Sequence, residues 1–374
     1  MEAKLWREFN LPLLGCVLAL LGISVLSVHS ATLNAVTADG SPLSVLFPRH
    51  LLNIFIGALV GIALLSFDYR LLSGLARPLF LITIVVLVVL HILGIIAEGA
   101  QSWLSIGSRT FQPSEVAKLT MIVVLAAYFA RFKDRCGTWS IQIGSMLLVA
   151  VPMMLVLIQP DLGTAVVFGG IWLTMAWMAG IRWQQLLILF LLVLPLVFVG
   201  WQWVLDDEQK SRWLTFYWLM VDPSRVDPND GYNIIQSLNA IASGGMFGSG
   251  LTNGLLSQGN YIPVQYSDFI FAVIGEEMGF AGGAVLMAFQ FLLLWIALSI
   301  ARKTNDDFGR LIAIGIFGMF FWHLAINLGV ATGLLPVTGL PMPFISYGGS
   351  FTITTLAAIG LLENVAMRWR RLTF

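Results

Sequence analysis

Charge is what this sequence has least of. Asp, Glu, Lys and Arg make up 11% of the 374 residues, against about a quarter in an ordinary soluble domain. Hydrophobic residues reach 58% and the mean hydropathy is +0.87, which excludes a water-soluble globular domain. The formal net charge is zero, so neither a nucleic-acid partner nor a polybasic membrane tail is indicated. There are 2 cysteines, Cys16 in the first apolar segment and Cys136 in a short basic loop. They lie on different elements without metal-ligand spacing, and no disulfide is expected. The 4 histidines, His29, His50, His91 and His323, are scattered. Walker A, HExxH, GxSxG and CxxC patterns are all missing, which leaves nucleotide-driven transport and zinc hydrolysis without support.

What the chain has instead is long apolar runs. A spanning helix needs about 20 apolar residues, and that ruler marks ten stretches at about 11–29, 49–67, 78–97, 114–131, 141–158, 161–180, 185–204, 268–300, 310–334 and 349–367. The expected fold is an all-α polytopic membrane protein of ten transmembrane helices, forming one membrane domain over 1–374. Lys4 and Arg7 before the first run resemble a signal peptide, but the run's length and the spans behind it favour an uncleaved first span. The eighth run is long enough to tilt or to project from the bilayer. The seventh and eighth runs are separated by the one long polar connection, 205–267, and a loop of that length is usually functional or disordered. Lys and Arg gather in the segments that alternate to the N-terminal side, with only Arg49, Arg109, Lys210, Arg212 and Arg225 opposite. The positive-inside rule then places both termini in the cytoplasm and the long loop outside, in a multi-pass plasma-membrane protein.

A few ionisable residues lie within a span or at its outer mouth: Glu115, Lys118, Asp161, Asp268, Glu276, Glu277 and Glu363. Such residues are expensive in a bilayer and are site candidates by default. Glu363, beside Arg368 near the cytoplasmic end, is expected to be solvated. In "FQPSEVAKL" (111–119) Pro113 opens a helix that carries Glu115 and Lys118 three apart on one face. They read either as a self-neutralising ion pair or as a lysine presented to an anionic substrate. Asp161 in "IQPDLGTA" (158–165) suits an N-cap as well as a site. "GLPMPFISYGGS" (339–350) reads as a rigid turn or, through the backbone N–H groups of Tyr347 to Ser350, as an anion cradle. Asp268 stands at the outer end of the eighth run, as N-cap or as a functional carboxylate. Glu276 and Glu277, about 12 Å further along a helix, are too deep to cap. They must face a polar interior, with one engaging Lys118 or backbone donors.

Together with "GYNIIQSLNAIASGGMFGSGL" (231–251), "SDFIFAVIGEEMGF" (267–280) and "LPVTGLPMPFISYGGS" (335–350), these motifs resemble the SEDS family (shape, elongation, division and sporulation) of RodA, FtsW and SpoVE. The resemblance covers essentially the whole chain. Short termini point to the RodA branch, although Pro263, Val264, Gln265 and Tyr266 depart from the segment many relatives carry before the aspartate. It implies a peptidoglycan glycosyltransferase that polymerises lipid II for cell-wall elongation and cell shape, alongside a class B penicillin-binding protein. It also implies that Asp268 is the catalytic carboxylate and that Glu115, Lys118 and Asp161 line or support a central cavity.

The chemistry suits that implication. An acceptor 4-hydroxyl attacking the donor anomeric carbon needs a base at the outer membrane surface, where Asp268 is placed. Direct displacement inverts that carbon. The departing polyprenyl diphosphate needs positive charge or donors, for which Lys118, Arg109, Arg212, the 346–350 segment (Ser346, Tyr347, Gly348, Gly349, Ser350) and a divalent cation, Mg or Mn, are candidates. Glu276 and Glu277 are expected to support the interior beneath. The rival readings are a lipid II flippase, which needs polar groups along both halves of the membrane, and a non-catalytic scaffold of cell-wall synthesis.

Overall fold

The computed structural model describes residues 8–36, 40–93, 95–97, 100–106, 109–203 and 207–368. The first seven helices are α1 (Leu11–Leu33), α2 (Leu46–Leu65), α3 (Leu71–Leu93), α4 (Pro113–Arg131), α5 (Trp139–Ile158), α6 (Leu162–Ala179) and α7 (Trp183–Trp203). After α8 (Asp207–Val221), α9 (Pro228–Ser243) and the short α10 (Leu255–Gln258), the chain re-enters the bundle as α11 (Ile270–Lys303), α12 (Asp307–Ala331) and α13 (Gly349–Met367). Among the described residues, 9 helices are long and apolar enough to cross a membrane. The seventh expected span falls on α7, of which Trp183–Leu192 is the described apolar part. This is a multi-pass helical membrane protein.

Where the fold departs from the sequence expectation, the local chemistry gives the reason. The third helix starts at Leu71, not near 78, because Pro78 is accommodated inside it. Its expected end beyond 93 instead enters a small antiparallel sheet, β1 (Ile95–Ala97), β2 (Ala100–Ile106) and β3 (Arg109–Phe111). The long connection is helical over much of its length: Gln209 on α8 donates to the Pro160 carbonyl at 3.3 Å, and Ser237 on α9 donates to the Ala331 carbonyl at 2.7 Å. Both helices therefore lie over the bundle end. At the other end, Asn10 N–H donates to the Glu363 carboxylate at 2.6 Å, and Glu363 is only 3% exposed. This overturns the expected solvation, and Arg368 reaches Asn364 and the Leu65 carbonyl instead.

Close packing of α2 against α13 follows from small residues. Gly57 and Gly61 face Leu356 and Gly360 with no room for a side chain, the arrangement that lets membrane helices approach through dispersion contacts. Around α12 the core is apolar, with Ile122, Phe320, Ile312 and Leu125 fully buried.

One exchange of backbone hydrogen bonds shapes the site end. Gly279 takes φ 64° and ψ −166° inside α11, a region essentially reserved for glycine, and breaks the helix ladder there. The carbonyls of Glu276 and Glu277 accept instead from Ser249 and Gly250 N–H at 3.0 Å each. Phe280 and Ala281 N–H donate to the Gly245 and Met246 carbonyls at 2.9 and 3.0 Å. The glycine-rich segment 244–250 is thus spliced into the helix, and these four backbone groups at the kink are paired across the splice.

Candidate active site

The segment "PVQYSDF" is anchored on every side. Gln265 donates to the Ala31 and Ser257 carbonyls at 2.9 Å each, and Tyr347 N–H donates to the Tyr266 carbonyl at 2.8 Å. Ser346 donates to the Ser267 carbonyl at 2.6 Å, and Asn327 donates to the carbonyls of Asp268 at 2.9 Å and Leu340 at 2.7 Å. Val264 holds φ 48°, a strained value for a β-branched residue. Its carbonyl accepts from Ser267 and Asp268 N–H, which closes the turn. The N-cap of α11 is Phe269, with no side-chain capping bond. Asp268 is therefore not the cap, contrary to one sequence reading. Its carboxylate accepts from the Ser267 hydroxyl at 3.0 Å and lines an open cleft.

That cleft has two lobes. The first, about 310 Å³, is walled by Glu115, Asp161, Arg212, Trp213 and Asp268. The second, about 450 Å³, is walled by Arg49, Tyr266, Tyr347, Gly348, Gly349 and Ser350. Trp103, Gln112, Gly339 and Pro341 border both and form the neck between them. Gln112 is fixed from both sides, its backbone N–H bonded to Ser350 Oγ at 2.7 Å and its amide to Asp161 at 2.9 Å. Gly339 has φ 70°, and a Cβ there would stand 3.7 Å from Asp268 Oδ2, so a left-handed glycine leaves the approach to the carboxylate clear.

The other predicted residues divide by role. Asp161 does both jobs proposed for it, capping α6 through Thr164 N–H at 3.0 Å while lining the first lobe. Lys118 does not line the cleft. It is fully buried beneath it, donating to Glu115 Oε1 at 2.8 Å and to His323 Nε2 at 2.8 Å. Since Nε2 accepts, the His323 proton lies on Nδ1, 3.3 Å from the Pro341 carbonyl. Ser346, expected on the substrate, is 1% exposed and occupied by Ser267 and Met342. The side chain of Arg109 lies outside those described.

Neither inner glutamate meets Lys118. Glu276 accepts from Leu256 and Ser257 N–H at 2.7 and 2.9 Å. Glu277 accepts from Ser30 at 2.6 Å, Gln258 at 3.0 Å and Ser257 at 3.2 Å. Both are 2% exposed, and their charge is met by hydrogen bonds that hold the chain leading to Asp268 against α1 and α11. Sequence reasoning missed Arg49, Trp103, Gln112, His323 and Asn327. Of these only Arg49 carried a signal, as one of the few cations on that side.

Residues 11–371 match the FtsW, RodA and SpoVE family, described as a cell cycle protein. The chain is 34% identical over 363 residues to the peptidoglycan glycosyltransferase MrdB of Escherichia coli, covering 96% of this chain and 94% of that one. It is 35% identical over 362 residues to the stage V sporulation protein E of Bacillus subtilis, with 96% of each covered. A solved structure described as showing how a peptidoglycan synthase complex coordinates polymerization and crosslinking superposes with a TM-score of 0.80 at 31% identity, over 96% of this chain and 98% of that one. The rod shape determining protein RodA of Thermus thermophilus gives 0.70 at 27% identity, over 97% and 98%.

Proposed function

As a RodA-like member of the FtsW, RodA and SpoVE family, this chain is a peptidoglycan glycosyltransferase, and we propose that Asp268 is the base that activates its acceptor hydroxyl. The observation that carries the proposal is the pairing of a rigidly held backbone with a carboxylate that lines the cleft. The turn around Asp268 is bonded to α12, to the 339–347 segment and to α1, while its carboxylate lines the cleft and Phe269, not Asp268, is the N-cap of α11. Such preorganisation is what general-base catalysis requires.

The substrate is lipid II, with sugars in the cleft and the lipid in the bilayer. The acceptor hydroxyl sits at Asp268 in the first lobe, under Arg212 and Trp213. The donor diphosphate occupies the second lobe, against Arg49 and the N-terminus of α13 at Gly349 and Ser350, where N–H groups and the helix dipole favour an anion. The anomeric carbon then lies at the Gln112 neck. The hydroxyl oxygen bonds to it as the diphosphate leaves on the opposite face, and the hydroxyl proton passes to Asp268. Among the described residues no group of three or more histidine, cysteine or acidic side chains comes together to hold a metal ion; a divalent cation would have the carboxylates of Asp161 and Asp268 in the first lobe, where it would supply positive charge beside the reacting groups. Glu115 and Lys118 support the wall from below.

The cleft faces outward and the termini face the cytoplasm, as the basic residues indicate. A crosslinking partner of the class B penicillin-binding type fits the described role of the structurally similar synthase complex. Purified protein given purified lipid II, with and without a divalent cation, is expected to yield β-linked glycan from an α-linked donor. Retention of the donor configuration would overturn the direct displacement, and absence of polymer under both conditions would overturn the assignment of the site.

A further inference from the structure

A third cavity lies at the opposite end of the bundle from the cleft. It has about 1060 Å³ and sits among α3, α4 and α5, walled by apolar groups such as Phe80, Leu81, Val124 and Leu148. Two cations stand on its rim, Arg77 and Arg131. No carboxylate lines it. Among the described residues neither arginine makes an ion pair, and Arg131 only stacks on the Phe132 ring at 5.6 Å. Glu115 and Arg131 are both on α4, 16 residues and about 24 Å apart along its axis, so the groove and the cleft belong to opposite membrane faces.

We infer that this groove binds an anionic phospholipid from the leaflet opposite the Asp268 cleft. Charge complementarity selects the headgroup: two guanidinium groups lacking a protein anion match one lipid phosphate, and arginine binds phosphate through paired N–H donors. The apolar wall selects a lipid over a free ion, since Phe80, Leu81 and Leu148 offer acyl chains a surface continuous with the exposed faces of α3 and α5. Basic pockets between membrane helices at the cytoplasmic face bind such headgroups for the same reason. Space for the chains is kept by small residues, Ser73, Ala76 and Ala127, where larger side chains would fill it.

The test reconstitutes full-length protein into vesicles of phosphatidylglycerol and phosphatidylcholine in equal amounts, extracts it gently and counts retained lipids by native mass spectrometry. Wild type is expected to enrich phosphatidylglycerol about thirtyfold, the value for two basic side chains at about 1 kcal/mol each. Arg77→Gln/Arg131→Gln should retain both lipids equally, and Ser73→Trp, at an exposed groove position, should lower retention of both. Arg182→Gln/Arg302→Gln removes as much charge outside the groove and should keep the enrichment. Equal retention by wild type, unchanged enrichment in the groove pair, or equal loss in the control pair would each overturn the inference. So would displacement of the lipid by excess inorganic phosphate, which would make the groove a phosphate site only.

Discussion

Replacing Asp268 by Asn keeps the side chain's size and removes its basicity. Because Phe269 is the N-cap of α11, the substitution disturbs no helix end, and the carbonyl of residue 268 still meets Asn327. The variant should insert with unchanged thermal stability and lose about 10²–10⁴-fold in lipid II polymerisation rate. A rate near wild type would show that the carboxylate is not the base. Lys118 behaves differently because it is buried with Glu115. Lys118→Met strands a carboxylate, at a cost of about 3–5 kcal/mol, measurable as a lower unfolding temperature. Glu115→Gln/Lys118→Met should recover most of that loss yet polymerise poorly, since Glu115 also lines the first lobe. Full recovery of both would make the pair structural only. Glu115, Asp161 and Asp268 were legible in the sequence because charge at membrane depth is rare enough to notice. Asn327 and His323 were not, since an uncharged polar residue within an apolar run carries no comparable signal, and their importance rests on carbonyls at 268, 340 and 341 that only the fold brings near.

Helix positions follow from hydropathy, and nearly every expected span found its helix within a few residues. The exceptions have two causes, and the first is that hydropathy cannot see backbone exchange. The run from 268 to 300 reads as one helix, yet Gly279 breaks it so that 244–250 can bond into the gap. The helices α8 and α9 were hidden in a polar loop because a ruler tuned to apolar stretches passes over amphipathic ones. The kink predicts a specific sensitivity. Gly279→Ala puts a Cβ against the Phe247 and Gly248 backbone and demands a conformation costing about 1–3 kcal/mol. It should lower the unfolding temperature and, by loosening the chain that leads to Asp268, lower the polymerisation rate. Gly15→Ala in α1, where nothing lies within 4 Å of an added Cβ, is the matched control and should do neither. An unaltered Gly279→Ala protein would show that the splice does not hold the site.

At the scale of the whole molecule the arrangement decides between making glycan and moving its precursor across the membrane. A carrier needs polar groups along a path through both halves. Here Glu115, Asp161, Arg212 and Asp268 gather in lobes at one end. Beneath them Lys118 neutralises Glu115 and donates to His323 in a buried layer. Below that layer the bundle is closed by apolar contact: a Cβ on Gly315 would meet Ile122 at 2.5 Å and Met175 at 2.9 Å, and Met121, Ile122 and Leu125 are at most 1% exposed. A disaccharide with its peptide would have to part these helices and leave polar groups without partners in an apolar core, at several kcal/mol for each unmet group. Proteoliposomes holding the purified protein are therefore expected to polymerise lipid II supplied on the cleft side, with no acceleration of fluorescent lipid II crossing the bilayer over protein-free vesicles. Accelerated crossing that persists in Asp268→Asn, with no polymer from wild type, would instead establish the carrier.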